Sequence, residues 1–164
     1  MNTTTFAETQ ETPFEKQRGI SRVEIRDGFA QIHISQLPDP LMDARLEILQ
    51  VLADNNISID FLKLTQTGLA FLVQERSADQ VATLLASKVP HHSVHRDQSI
   101  VMVSAVNMRD EEGLLARVVA VSIGCGVQID HLGDMHDQLL IVTSRDGARE
   151  IAGAVKDQLM EVPS

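Results

Sequence analysis

Hydrophobic positions along the chain change from a spacing of two, typical of strands, to a helical spacing, and this change recurs. The segment 20–26 alternates and predicts a strand, and Asp27-Gly28 after it predicts a turn. Ser77 stands where the N-cap of a helix is expected. The elements that follow the turn are predicted in the order strand, helix, strand, strand, helix, over 29–35, 41–56, 57–64, 69–73 and 78–88.

The same order of elements is predicted a second time, over 100–106, 113–124, 127–133, 138–144 and 147–160. An offset of 70 positions places residues 57–60 (ISID) over 127–130 (VQID) without a gap. Such a repeat predicts two copies of one small domain. We expect an α+β fold with two tandem ferredoxin-like βαββαβ units, each an antiparallel sheet with helices on one face. The additional strand 20–26 is expected to pair with one of the two sheets.

These observations divide the chain into three parts. Residues 1–18 are rich in Thr, Glu and Gln and are expected to form a disordered N-terminal arm. Residues 19–96 are expected to form the first domain with its lead-in strand, and residues 97–164 the second.

Composition and charge exclude several classes of function. The net charge of −9 argues against nucleic acid and anionic membranes as partners, because both need clustered Lys and Arg. No apolar run approaches the roughly 20 residues of a membrane span. Cys125 is the single cysteine of the chain, which excludes an internal disulfide and fits a reducing cytoplasm.

Histidines are the other candidates for chemistry. His91 and His95 invite a metal hypothesis, but the segment around them is expected to be a connector or an edge strand, and no carboxylate or thiol motif joins it. Exposed connector histidines are the favoured interpretation. No nucleophile motif, P-loop or paired general acid and base is found.

A glycine among acids marks the start of a predicted helix. In NMRDEEGLLARVV (107–119), Gly113 follows Asp110, Glu111 and Glu112. Free N–H groups and the positive dipole end of a helix suit a carboxylate, and a glycine lets it approach the backbone. A tight turn with acids in the first turn of a helix is the alternative explanation.

The residues now described resemble a known family. ACT domains have a characteristic pattern: a strand, the motif D-x-P-G, the pair A-R, a helix, and the motif I-N-[IV]-[DE] at the start of the next strand. The resemblance is closest to the tandem pair of ACT domains at the C-terminus of aspartate kinases. In the second copy, 110–113 is similar to D-x-P-G with Glu112 for proline, and Ala116-Arg117 to A-R. Residues 127–130 are similar to the last motif, with Gln128 for asparagine.

The first copy resembles the same pattern less closely. LPDP (37–40) is similar to the turn, Asp43 stands where the second copy has Gly113, and Ser58 stands for asparagine. GISRVEIRDGFAQIHIS (19–35) is similar to the segment that joins the kinase and regulatory domains in that family. The resemblance therefore covers residues 19 to about 160.

The resemblance implies a site for a free amino acid where the first strand of each copy turns into its helix. The strand that begins at Gln128 is expected to lie beside the Gly113 loop, and an acid such as Asp110 to bind the ammonium group. The implied ligand-binding residues are Arg109, Asp110, Glu112, Gly113, Leu114, Leu115, Gln128, Ile129 and Asp130 in the second copy, and Asp39, Met42, Asp43 and Ser58 in the first.

The resemblance also implies a function. The kinase motif and the roughly 250 residues of a kinase domain are absent, so a non-catalytic, free-standing regulatory subunit without cofactor or metal is expected. Its implied partners are an effector of the lysine or threonine class, a second copy in a homodimer, and a separate aspartate kinase catalytic chain. One alternative is a degenerate ACT pair that serves as a scaffold without ligand. An enzyme of small substrates, suggested only by the histidines and acids, is another.

Overall fold

A computed structural model describes residues 19–108 and 110–160. Arg109, the predicted arm 1–18 and residues 161–164 lie outside the described residues. The strands are β1 (Ile20–Ile34), β2 (Asp60–Leu64), β3 (Leu69–Gln74), β4 (His92–Ala105), β5 (Ile129–Met135) and β6 (Gln138–Ser144). The helices are α1 (Leu41–Asp54), α2 (Ala78–Ala86), α3 (Leu114–Gly124) and α4 (Arg145–Leu159). No described helix is long and apolar enough to cross a membrane.

The strands form one antiparallel sheet in the order β2-β3-β1-β4-β6-β5. The long central strands β1 and β4 pair along most of their length, and each belongs to both copies of the repeat. Residues 20–26 lie against 100–105, so the lead-in strand pairs with the second copy. The predicted division between 96 and 97 falls inside β4. The expected α+β class with antiparallel ferredoxin-like units is confirmed, and the two units share a single sheet.

A bulge interrupts each long strand near its middle. The register of β1 against β4 shifts between Arg26 and Phe29 and again between Phe29 and Gln31. Gly28 and Asp97 have φ of +87° and +56°, the left-handed conformation that bulges use. The predicted turn at Asp27-Gly28 is therefore wrong. A hairpin turn would pair the two halves of β1 with each other, whereas both halves pair with β4.

All four helices cover the same face of the sheet. In the first copy, Ile32, Phe71 and Leu85 are buried among side chains of β1, β3, α1 and α2. In the second copy, Ile141 and Val118 are buried between α3, α4 and the second half of the sheet. Each copy thus has an apolar core of its own under its two helices, as the helical spacing predicts.

The helix-free face carries a third apolar cluster, made by both copies. Leu72 of β3 and Val142 of β6 are buried in it. Phe61 of the edge strand β2 meets His131 of the opposite edge strand β5, with ring centroids 5.3 Å apart and planes at 81°. Because strands from the two ends of the sheet touch, the sheet must curl so that its halves face each other, with the bulges at the corner.

An ion pair links the bulge of β1 to helix α4. Arg149 donates to both carboxylate oxygens of Asp27, at 3.2 and 2.9 Å, and the buried Ser99 hydroxyl donates at 2.6 Å. These hydrogen bonds to the charged form lower the pKa of Asp27 from 3.8 to about 2. The corner between the two half-sheets is therefore connected to the helical layer of the second copy.

Helix α2 begins at Ala78, as predicted, but without the expected side-chain cap. Ser77 occupies the N-cap position as predicted, but it is also the last residue of a 3-10 turn, and its side chain makes no capping hydrogen bond. Ser144 caps α4 instead, because its hydroxyl accepts from the Gly147 N–H at 3.1 Å.

Candidate functional site

The loop between β4 and α3 has the backbone that the sequence predicts. Gly113 is the N-cap of α3, with φ of +76° and ψ of −2°, and a Cβ placed on it would meet nothing within 4 Å. The N–H groups of residues 110 and 111 both donate to the carbonyl of Asn107, at 3.0 Å. The loop is thus a compact turn that presents an open, glycine-lined helix N-terminus.

Glu111 lies at the centre of this loop, although no motif singled it out. Its carboxylate accepts the N–H of Gly19 at 2.7 Å and lies 3.7 Å from the guanidinium of Arg117. A cavity of about 340 Å³ opens beside it, lined also by Leu114 and by the end of α4. A carboxylate and a guanidinium at one cavity match the two charges of a free amino acid.

The predicted residues of the second copy fall at two separate places. Asp110, Glu112 and Gly113 are exposed in the loop, Leu115 is half-buried, and Leu114 is 2% exposed and belongs to the core. Arg109 lies outside the described residues.

Residues 128–130 lie far from the loop. Ile129 pairs with Thr143 of β6, and Thr143 pairs in turn with Ser99 of β4. Ser99 lies six residues before Ala105, the end of β4 from which the loop begins. This places them roughly 20 Å along the strands, at about 3.3 Å per residue. The expectation that this strand begins beside the Gly113 loop is therefore wrong within one chain. A strand after a helix starts at the end of the sheet where that helix finishes.

The first copy shows the same separation. Asp39, Met42 and Asp43 lie at the start of α1 and are exposed, while Ser58 precedes β2 at the other end of the sheet. Residues 39 and 40 are joined by a cis peptide bond.

Arg45, which the sequence did not single out, holds α1 to the β2–β3 turn. Its guanidinium donates to the Gly68 carbonyl at 2.9 Å and to the Thr65 carbonyl. These bonds fix the start of α1 above the edge of the sheet.

The histidines form no cluster with the acids. Across residues 19–108 and 110–160, no three His, Cys, Asp or Glu side chains come together as a metal site needs. His91 and His95 are exposed, and the segment around them forms the edge half of β4. Burial, together with the charge of Lys63, lowers the pKa of His131 below 6.5, so its ring is neutral against Phe61 at pH 7.

Solved structures share this arrangement. The regulatory subunit of aspartate kinase from Thermus thermophilus, in its ligand-free form, superposes with a TM-score of 0.76 at 20% identity, over 88% of this chain and 100% of that one. The fold is that of an aspartate kinase regulatory subunit. No protein-family model matches the chain, and no curated protein matches it significantly.

Two further structures extend the likeness. A structure of aspartokinase alpha and beta subunits matches with a TM-score of 0.75 at 16% identity, over 84% of this chain and 97% of that one. Aspartokinase III from E. coli, in complex with lysine and aspartate, matches with a TM-score of 0.66 at 17% identity. The match covers 87% of this chain and 33% of that one, so this chain spans about a third of the larger enzyme.

Proposed function

We propose that this chain is a non-catalytic regulatory module that senses a free amino acid and biases the activity of a separate aspartate kinase chain. The observation that carries the proposal is the superposition with the whole of a regulatory subunit from Thermus thermophilus. An open glycine at the mouth of α3 supports it, because that backbone suits a ligand carboxylate.

The Gly113 loop is the preferred effector site. The Leu114 N–H donates to the Glu111 carbonyl at 3.2 Å, so the N–H groups that follow it in the first turn of α3 and the guanidinium of Arg117 offer partners for a carboxylate. Glu111 and Asp110 offer partners for an ammonium group. The start of the helix in the first copy is less suited to a ligand carboxylate, because Asp43 brings a Cβ and a negative charge to the position of Gly113. Lysine and threonine are the effectors to test, and lysine occurs in the aspartokinase III structure.

A homodimer through the edge strand β2 would complete the module. Leu62 and Leu64 are 46% and 51% exposed on the helix side of this strand. Met42 and Leu46 belong to α1, which Arg45 connects to the β2–β3 turn, and they are 54% and 58% exposed. An unpaired strand edge next to exposed apolar side chains is suited to pair with another chain.

Antiparallel pairing of two β2 edges would also explain the divided site of the first copy. The start of one β2 would lie beside the end of the other, close to the loop that leads into α1. Ser58 of the partner subunit would then approach Asp39 and Asp43, which one chain alone keeps apart. An effector bound at such a joint would favour one arrangement of the subunits over another.

The effector site is tested by thermal unfolding with lysine or threonine. A ligand at 100 times its dissociation constant stabilises the native state by about 2.7 kcal/mol, which raises the Tm by about 5–10 °C in a chain of this size. Gly113→Val should abolish the shift, because its side chain would fill the mouth of α3.

The matched control is Gly126→Val. Gly126 also has a left-handed backbone, φ +71°, and a Cβ there would meet nothing within 4 Å, but it lies at the other end of α3. Both variants should lower the Tm of the free protein, and only Gly126→Val should keep the ligand shift. An equal response of the two variants, or no shift with either amino acid at 10 mM, would contradict the proposed site.

The dimer is tested by Leu62→Glu. A charge on this edge should convert the dimer to a monomer in sedimentation equilibrium, because the carboxylate would be buried unpaired in the interface. Leu132→Glu, at the equivalent position of the edge strand β5, is the control and should leave the mass unchanged. A wild-type protein that is monomeric at 100 μM would refute the β2 interface.

The second candidate function is a scaffold without ligand. Glu111 favours it, because its carboxylate already accepts an N–H from Gly19 and so places negative charge inside the loop. This candidate predicts the same dimer and no response to any amino acid.

A further inference from the structure

A second cavity lies on the helix-free side of the sheet, between the two facing halves. Its volume is about 460 Å³, within the range of small-molecule sites. Its walls are mostly apolar and come from both copies, with Phe29, Phe61, Ile100, Met102 and Leu140 among them. None of the described residues that line it belongs to the Gly113 loop.

A glycine keeps this cavity open. Gly133 stands 70 positions after Lys63, so one copy has no side chain where the other has a long one. A Cβ on Gly133 would lie 3.4 Å from the ring edge of Phe61. Its φ is outside the left-handed region, so the backbone does not require glycine here. The missing side chain therefore provides space rather than backbone freedom.

Three charged residues line the same cavity, Arg26, Asp60 and Asp134, and the first two have opposite charges. The side chains of Arg26 and Asp60 form no hydrogen bond or ion pair with any residue in the described part of the chain. Arg45, Arg96 and Arg149, by contrast, all donate to acceptors in the protein. A free guanidinium and a free carboxylate beside an apolar wall are complementary to a zwitterion with an apolar body.

We propose that this cavity binds a free α-amino acid with an apolar side chain. Its carboxylate meets Arg26, its ammonium group meets Asp60, and its side chain packs on Phe61 and Leu140. Asp60 and Phe61 belong to the half-sheet of the first copy, whereas Arg26, which pairs with Ile100, lies with Leu140 in the half-sheet of the second. The ligand therefore bridges the two half-sheets. The site is separate from the Gly113 loop, and the inference does not depend on the function proposed above.

The test is calorimetric titration of the full chain at pH 7.5 with L-leucine, L-methionine and L-phenylalanine. At least one should bind the wild-type protein below 10 mM. Arg26→Gln should weaken that binding at least tenfold, because the charge-assisted bond to the carboxylate is lost. Arg76→Gln, another exposed arginine that does not line the cavity, is the control and should change the dissociation constant less than twofold.

Two further variants make the test independent of any one substitution. Gly133→Leu should abolish binding by filling the cavity, and circular dichroism shows whether it still folds. If it does not fold, Arg26→Gln and Asp60→Asn decide, because both residues are exposed.

Ligand analogues test the zwitterion. For leucine, 3-methylbutylamine lacks the carboxylate and 4-methyl-2-oxopentanoate lacks the ammonium group, so each should bind at least tenfold more weakly. An analogue that binds as tightly as the amino acid overturns the assignment.

Three other results would overturn the proposal. One is the absence of heat with all three amino acids at 10 mM. Another is binding that survives both Arg26→Gln and Gly133→Leu. The last is binding that is lost in Gly113→Val but kept in Arg26→Gln, which places the amino acid at the helix mouth. Loss of the lysine or threonine response alone affects the proposed function and leaves this inference intact.

Discussion

Gly68→Ala is expected to lower the free energy of unfolding by about 3 kcal/mol. A Cβ on Gly68 would lie 1.9 Å from the carbonyl oxygen of Ile34 and 2.7 Å from its carbon. Both are backbone atoms of β1, so no side chain can move aside. Relief would require the β2–β3 turn to shift, and that turn accepts the guanidinium of Arg45 through the Gly68 carbonyl.

Urea unfolding followed by circular dichroism measures this effect. Gly153→Ala is the matched control, because Gly153 lies inside α4 and a Cβ there meets nothing within 4 Å. The control should gain about 0.5–1 kcal/mol from the better helix propensity of alanine. A Gly68→Ala variant within 0.5 kcal/mol of wild type would show that the turn is not held as described.

Ile141→Ala should cost about 3 kcal/mol and should destabilise both copies together. Ile141 is fully buried in the core of the second copy, and truncation would leave a cavity beneath α4. Because β1 and β4 belong to both copies, neither copy can lose its strands while the other keeps them. Unfolding should therefore remain a single transition.

Hydrogen exchange and circular dichroism in urea together test whether Ile141→Ala destabilises both copies in a single transition. Phe71→Ala, at the equivalent buried position of the first copy, should behave in the same way. Leu132→Ala is the control: its side chain is 38% exposed on the edge strand β5, so the cost should stay below about 1 kcal/mol. Amides of 69–74 that stay protected while those of 138–144 exchange would contradict the shared unfolding.

The elements of the fold could be predicted because each depends on local spacing. Alternation identified the strands, the 70-residue offset identified the repeat, and helix ends agree to within a few residues. Strand partners are not local, and so the sharing of β1 and β4 was not foreseen. Asp27-Gly28 shows the limit: the same dipeptide suits a hairpin turn or a bulge, and only the pairing partners decide.

The candidate sites were predictable to different degrees. Gly113 could be found because a glycine at a helix start is a local signal. The placement of Gln128 beside it was wrong because direction along the sheet depends on how α3 crosses it. The second cavity is built from several strands and has no motif, although the mismatch of Gly133 with Lys63 in the repeat was a signal that could have pointed to it.

The sharing of β1 and β4 has a consequence for how such a chain can be divided. Removal of residues 19–28 would leave β3, α1 and α2 untouched. It would instead remove the edge strand 20–26 from the half of the sheet that the second copy forms, because those residues pair with 100–105 of β4. A truncation before Phe29 would thus lower the stability of the second copy rather than that of the first. If the chain were divided between the two copies, each fragment would expose the edge of a strand that has lost its partner. We therefore expect the two fragments to be soluble only when they are made together.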